Sequence, residues 1–238
     1  MDIPTLTHGA ACLPRRFCSK NGLACELQLL PAETGQRLVD MYLAFQPRNC
    51  FQGLPPLKDA VCTNWVRDML RTGINVIAAK TEPETQDRRG KVLAPSQDTM
   101  VGHAALFPIN PRKCEMLVVV CPGFQNAGIG TKLVQCCIDL ADELRFERIW
   151  LPVDATNVRA RHVYCKCGFE YVPNSHGREM DMVCNVRQHR SPMVVAPPLT
   201  SPHFPLTEWR ARDVSPLSMA EGTGGHGLVT AKCSSDSQ

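Results

Sequence analysis

Glycines follow a short apolar segment near the middle of the chain and begin a predicted helix. The segment ends in Pro122 and Gly123, and Gly128 and Gly130 then precede Thr131. Because glycine lacks a Cβ atom, a ligand can approach the main chain closely at such positions. The first N–H groups of a helix have no partner within it, and the helix dipole places positive charge there. The pattern predicts a turn that binds an anion such as phosphate, with a plain strand-to-helix turn as the alternative.

A second set of spaced residues lies downstream. Asn157, Ala160, Tyr164, Gly168 and Phe169 form the pattern N-x-x-A-x-x-x-Y-x-x-x-G-F, and the turn upstream reads Q-x-x-G-x-G from position 125 to position 130. In this order, after an apolar strand, the two patterns resemble the acyl-CoA-binding motifs of the GNAT superfamily of N-acetyltransferases. The resemblance covers roughly residues 25–186 and implies that acetyl-CoA is the co-substrate.

The resemblance implies a cofactor site in two parts. The turn wraps the pyrophosphate of coenzyme A with main-chain donors, and the strand before it binds the pantetheine arm as an added strand would. The implied pyrophosphate residues are Gln125, Asn126, Ala127, Gly128, Ile129, Gly130 and Thr131. The implied pantetheine residues are Leu117, Val118, Val119 and Val120, with Asn157 and Tyr164 on the other side. Many family members carry Lys or Arg at the position of Ala127, which is uncharged here. The positive charge near the phosphates is then supplied by Lys132, by Arg159 or by neither.

Acetyl transfer from a thioester to an amine also needs proton transfers. An alkyl ammonium has a pKa of about 10.4, so a base or a water chain must take its proton near neutral pH. The resemblance makes Glu115 the candidate base, with Asp154 as a weaker alternative. It also makes Tyr164 the acid that protonates the departing thiolate. The main-chain N–H of Val119 or Val120 would polarise the thioester carbonyl.

Hydrophobic periodicity predicts the elements that hold these residues in place. Alternating or β-branched apolar runs predict strands, and apolar residues three and four apart predict helices. The predicted strands are 25–30, 74–79, 100–107, 115–120, 149–153, 169–172 and 180–186. The predicted helices are a first one that ends before Pro47, then 59–71, 128–144 and 157–166. With the resemblance, this order predicts an α/β fold: a mixed, mostly antiparallel sheet of about seven strands, flanked by helices and splayed between the fourth and fifth strands.

Composition indicates the domain boundaries and the surroundings. The chain has 238 residues, of which 44% are hydrophobic and 21% charged, as in ordinary globular proteins. Residues 1–22 are predicted to be a poorly ordered leader, 23–187 the GNAT domain, and 188–238 a disordered tail rich in Pro, Gly and Ser. The net charge of +3 is too small to indicate nucleic acid or a membrane as a partner. No apolar run has the length of a secretory signal or a membrane span, which predicts a cytoplasmic protein.

The thirteen cysteines predict neither a disulfide framework nor a metal site. Their number is odd, no CxxC pair occurs, and Cys165 and Cys167 lack a second pair with histidines at zinc-site spacing. They are predicted to be free thiols that pack as small apolar residues in a reducing compartment.

The sequence therefore predicts an N-acetyltransferase that moves an acetyl group from acetyl-CoA directly to a primary amine. The acceptor stays open between a small molecule and a protein amine, and the assembly between a monomer and a homodimer. The alternative is a non-catalytic acyl-CoA sensor or interaction module, because Ala127 carries no charge and the base depends on the position of Glu115 alone. His103, on the third predicted strand, either faces the acceptor or lies in the core.

Overall fold

One mixed sheet carries the helices of this chain on its two faces. The computed structural model describes residues 10–48, 54–81, 99–173, 175 and 177–189, and within them lie eight strands and four α-helices. The strands are β1 Arg15–Cys18, β2 Ala24–Leu29, β3 Ile74–Lys80, β4 Thr99–Asn110, β5 Lys113–Val120, β6 Arg148–Asp154, β7 Glu170–Tyr171 and β8 Glu179–Asn185. The helices are α1 Gly35–Leu43, α2 Asp59–Thr72, α3 Ile129–Glu143 and α4 Val158–Lys166. The predicted α/β class, mixed sheet and four helices are confirmed.

The sheet opens between β5 and β6. Its strand order is β1-β2-β3-β4-β5-β6-β8-β7, and β5 and β6 form its parallel pair. Their register runs from Lys113 opposite Arg148 to Glu115 opposite Trp150, and the pairing stops there. Because β6 continues along β8 over its whole length, β5 and β6 diverge beyond this point. The gap lies between the strands predicted as fourth and fifth.

Each face of the sheet has its own apolar core. On one face, α3 and α4 pack against the sheet in a core that includes Leu133, Leu140, Ile149, Leu151 and Met182. On the other face, α1 and α2 pack against the sheet in a core that includes Leu38, Tyr42, Val66, Met69 and Ile77. The central strand β4 is buried from residue 100 to residue 107 because helices lie on both of its sides. Burying a large aliphatic side chain contributes about 1.5–3 kcal/mol, so these cores hold the two halves of the sheet in a fixed position.

Residues 10–22 correct the prediction of a leader without structure. We call them the N-terminal strap. They contain β1, which pairs with β2 and adds the eighth strand to the predicted seven. The main-chain N–H groups of Ala11 and Cys12 donate to the carboxylate of Glu143 at 3.0 and 2.8 Å, and Arg15 pairs with Asp139 at 2.7 Å. The strap is thus attached to α3. Residues 1–9 of the predicted leader and 190–238 of the predicted tail lie outside the described residues.

The cysteines of the described ranges are all free thiols. Seven of them are buried, which raises the pKa of several thiols, Cys114 and Cys137 among them, and makes them unreactive. Within these ranges, no three His, Cys, Asp or Glu side chains come together in a way that could hold a metal ion. None of the helices described combines the length and the apolar character needed to cross a bilayer.

Candidate active site

The glycine turn adopts a backbone that glycine favours. Gly128 has φ +84° and is the N-terminal cap of α3, and Asn126 has φ 62°. The intrahelical ladder begins where Lys132 N donates to Gly128 O at 3.1 Å. The three N–H groups before Lys132, those of residues 129–131, therefore have no partner within the helix. These donors and the positive end of the helix dipole point to an anion at the open end of the gap.

The edge of β5 that faces the gap is set by the register with β4. Cys121 N donates to Val101 O at 3.0 Å, and Val119 lies opposite His103 two positions earlier. Main-chain groups alternate along a strand, so those of Val119 point toward β4, while those of Val118 and Val120 point toward the gap. Of the two N–H groups predicted to polarise a carbonyl, that of Val120 has the suitable direction. From Met116 to Val120 the open edge measures about 13 Å.

Gln125 connects the end of β5 with α4. Its Nε2 donates to Val120 O at 3.0 Å, and its Oε1 accepts from Arg159 Nη1 at 2.5 Å. The carbonyl of Val120 is thus bonded to Gln125, whereas its N–H faces the gap beyond the last paired position of β5 and β6. Of the two cations that the sequence suggested as replacements for charge at Ala127, Arg159 contacts the turn directly.

Asn157 caps α4 on the other side of the gap. Its Oδ1 accepts from Ala160 N at 3.2 Å, and its own N–H donates to Asp154 O at 2.8 Å. An asparagine in this position satisfies one of the first N–H groups of the helix. Its Nδ2 group is then the part of the side chain that can donate to a pantetheine arm.

Tyr164 lies on α4, and its ring belongs to the core under α3 and α4. The residue is buried, and its ring lies against Phe169 with 5.6 Å between centroids. Burial raises the pKa of the phenol above its usual range, and nearby Cys137 raises it further. Its hydroxyl makes no hydrogen bond to another described residue. A phenol that stays protonated at neutral pH can donate a proton.

Glu115 lies at the closed end of the gap, on the last paired position with Trp150. Its neighbours Cys114 and Met116 belong to the core under α3, so its own side chain points to the face of α1 and α2. The side chain is half-buried, and burial raises the pKa of its carboxyl, although Lys113 opposes the shift. A carboxylate with a raised pKa is a better base near neutral pH than an exposed one.

Asp154, the alternative base, is already bonded on both oxygens. Its Oδ1 accepts from the N–H and the hydroxyl of Thr156 at 2.8 and 2.6 Å, and its Oδ2 from Arg178 at 3.3 Å. The bonds from Thr156, with a smaller contribution from Arg178, lower the pKa of this carboxyl. Both effects make it a poor proton acceptor and favour Glu115.

His103 belongs to the core. Its Nδ1 lies 2.8 Å from the hydroxyl of Tyr42, and its Nε2 lies 3.0 Å from Asn75 Oδ1. The amide nitrogen of Asn75 donates to Met69 O and Gly73 O, so its oxygen accepts from the imidazole and Nδ1 accepts from the tyrosine. Burial lowers the pKa of His103 to about 3. The ring is neutral at neutral pH and serves structure.

An open cavity of about 480 Å³ lies on the face of α1, at the carboxyl end of β5. It is lined by Arg37, Asp40, Met41, Ala44, Phe45, Thr99, Met100, Cys121 and Pro122. Cys121 is half-buried, and burial raises the pKa of its thiol to about 11, which suits packing better than catalysis. This cavity is the candidate entrance for an acceptor.

Sequence reasoning missed Lys20. Its N–H donates to Ala127 O at 2.9 Å, and its aliphatic carbons lie 3.6–4.0 Å from the position of a Cβ on Gly128. No local pattern could indicate this contact, because it depends on how the N-terminal strap lies along α3.

The splayed sheet and the glycine turn together define an acyltransferase. Residues 62–169, a little under half of the chain, match the model of the acetyltransferase (GNAT) family. The reaction of this family is the transfer of an acyl group to an amine, and acetyl-CoA is its usual co-substrate.

Two solved structures share this fold at low sequence identity, and a third is less similar. The GNAT domain of S. lividans PAT has a TM-score of 0.58 at 12% identity, over 75% of this chain and 99% of that one. A domain from Methanocaldococcus jannaschii DSM 2661 has a TM-score of 0.52 at 14% identity, over 68% and 97%. A spermidine N-acetyltransferase SpeG chimera from Vibrio cholerae and hSSAT has a TM-score of 0.46 at 17% identity, over 69% and 96%. No curated protein matches the chain in sequence.

Proposed function

We propose that the protein transfers the acetyl group of acetyl-CoA directly to a primary amine. The observation that carries the proposal is the gap between β5 and β6, which begins after Glu115 and opens toward the glycine turn. A pantetheine arm in this gap would bond to β5 as an added strand and bring its thioester toward Glu115.

Two groups of donors bind the cofactor in this proposal. The N–H groups of Ile129, Gly130 and Thr131 bind the pyrophosphate at the start of α3. Main-chain groups of Val118 and Val120 bind the pantetheine from β5, and the Nδ2 group of Asn157 binds it from α4. Since most of these contacts come from the main chain, affinity for the cofactor depends on the register of β5 more than on its side chains.

The proposed reaction needs two proton transfers. Glu115, directly or through water, removes a proton from the acceptor ammonium, and the neutral amine attacks the thioester carbon. A main-chain N–H on the open edge of β5, between Glu115 and Val120, stabilises the negative charge on the carbonyl oxygen. The carbon–sulfur bond then breaks, and Tyr164 donates its proton to the leaving thiolate. A thiol pKa of about 8.5 makes that thiolate a fair leaving group, so the acid contributes less than the base.

The acceptor enters from the face of α1 and α2 in this proposal. Glu115 points to that face, and the cavity beside α1 opens on it. The cavity presents both Arg37 and Asp40 together with apolar side chains. Its lining accommodates a small amine or the amine of a protein side chain, and both remain within the proposal.

Release of free thiol from acetyl-CoA, measured over a panel of small amines and lysine peptides, tests the function. We expect release that depends on an amine. The release should fall in Glu115→Gln and in Tyr164→Phe. Tight binding of acetyl-CoA without release for any amine would instead identify a sensor that keeps the cofactor site and performs no catalysis.

A further inference from the structure

The N-terminal strap follows α3 from its end to its beginning. Ala11 and Cys12 bond to Glu143 in the last turn, and Arg15 pairs with Asp139 one turn earlier. Lys20 then bonds to Ala127, directly before the helix. Contacts at three levels fix the path of the strap, so the residue that reaches the glycine turn is determined by the fold.

The turn between β1 and β2 holds Lys20 in place. Ser19 N donates to Leu23 O at 2.8 Å, and Leu23 N donates back to Ser19 Oγ at 2.9 Å. Gly22 N closes the turn on Ser19 O at 3.0 Å, and Ser19 itself is buried. The main chain of Lys20 is therefore anchored on both sides, while its side chain is exposed.

We propose that Lys20 binds the phosphates of coenzyme A. The inference rests on the proposed function, since it assigns a further residue to the same cofactor site. The Cγ, Cδ and Cε atoms of Lys20 pass over Gly128. The ammonium group is one bond beyond Cε, so it lies near the turn that offers its N–H donors to an anion. A flexible ammonium is a suitable partner for phosphate oxygens.

The lack of charged residues in the turn explains why a lysine is useful there. Ala127, in the middle of the turn, is buried and uncharged, and it binds the strap through its carbonyl. Arg159 approaches the turn from α4 through Gln125, and Lys20 approaches it from the strap. Two cations from distant parts of the chain thus flank a turn whose own residues are neutral.

Isothermal titration with coenzyme A, dephospho-coenzyme A and pantetheine tests the assignment. Lys20→Met keeps the aliphatic chain and removes the charge, so we expect about five-fold weaker binding of coenzyme A, the size of a partly exposed ionic contact. Binding of pantetheine, which has no phosphate, should not change, and Lys20→Arg should restore most of the affinity. Lys58→Met, an equal charge change at the exposed start of α2, is the control.

The three ligands separate the outcomes. Weaker binding of both phosphorylated ligands supports a contact with the pyrophosphate, and weaker binding of coenzyme A alone supports a contact with the 3′-phosphate. Equal affinity of Lys20→Met and the wild type, an equal loss with pantetheine, or an equal loss in Lys58→Met would overturn the inference while leaving acetyl-CoA as the donor. A wild-type protein that does not bind coenzyme A would overturn the proposed function and this inference together.

Discussion

Arg159 Nη1 lies 2.5 Å from Gln125 Oε1, which joins α4 to the turn between β5 and α3. The same glutamine donates to Val120 O from its amide nitrogen. One side chain therefore links the two sides of the gap at its open end, and the amide orientation follows from both partners. The contact also brings a guanidinium to the glycine turn.

Replacing Arg159 by Ala should weaken the binding of coenzyme A by roughly three- to ten-fold, because a cation and the support of Gln125 are lost together. Lys132→Ala is the comparison, since Lys132 also lies in the first turn of α3 and is exposed. Titration at two salt concentrations measures both variants. Equal effects of the two changes would mean that the contact with Gln125 has no special importance.

Glu115→Gln should lower kcat about a hundred-fold or more if the carboxylate acts as the base. Burial raises the pKa of Glu115, so its active, ionised form is lost at a higher pH than for an exposed glutamate as the solution is acidified. The acid limb of the profile of kcat against pH should disappear in the variant. Asp154→Asn serves as the control and should keep that limb; an acid limb that persists in Glu115→Gln would exclude the role.

Tyr164→Phe should lower kcat by about ten-fold and leave the affinity for acetyl-CoA nearly unchanged, because the ring still packs on Phe169. Burial raises the pKa of Tyr164, so no alkaline limb from this group is expected near neutral pH. Steady-state rates and direct titration with acetyl-CoA distinguish the two effects. A lowered affinity with unchanged kcat would make Tyr164 a packing residue.

Acid should destabilise the protein through His103. The folded state holds the pKa of His103 at about 3 against an ordinary value of 6.5, so the unfolded state binds a proton more readily. Stability is fully present above pH 6.5 and falls as the pH drops from there toward 3. Between pH 7 and pH 5 the free energy of unfolding should decrease by about 2 kcal/mol from this group.

Urea unfolding at several pH values measures this dependence. His103→Gln should remove most of the decrease, whatever its effect on stability at pH 7. The exposed His162 provides the matched control, and His162→Gln should retain the decrease. If His103→Gln and the wild type showed the same slope against pH, the histidine would not be the group responsible.

Local patterns predicted most of the fold. Helices α1, α2 and α3 were predictable because each carries an apolar stripe of its own, as α3 does with Leu133, Val134, Ile138, Leu140 and Ala141. The strand β1 was not, because four residues are too few to show a period. Its anchors are also remote in sequence: Glu143 lies 132 residues from Ala11. Contacts of that kind are tertiary and have no local signal.

The candidate site divides in the same way. The glycine turn could be found because Gly128 has a positive φ angle, which favours glycine, so the residue type itself marks the turn in the sequence. The choice between the N–H groups of Val119 and Val120 needed the register between β4 and β5, which sequence does not specify. The sequence left Asp154 as a possible base because it does not show the bonds to Thr156 and Arg178 that occupy its carboxylate in the fold.

The strand order determines which fragments of the chain keep the sheet intact. A fragment limited to residues 62–169 would lack β2, which pairs with β3, and β8, which pairs with β6. It would also begin inside α2. Two long apolar strands would then carry unpaired main-chain groups along their edges, a common origin of edge-to-edge aggregation. Recombinant fragments that begin with the strap and include β8 should remain monodisperse where the shorter fragment precipitates.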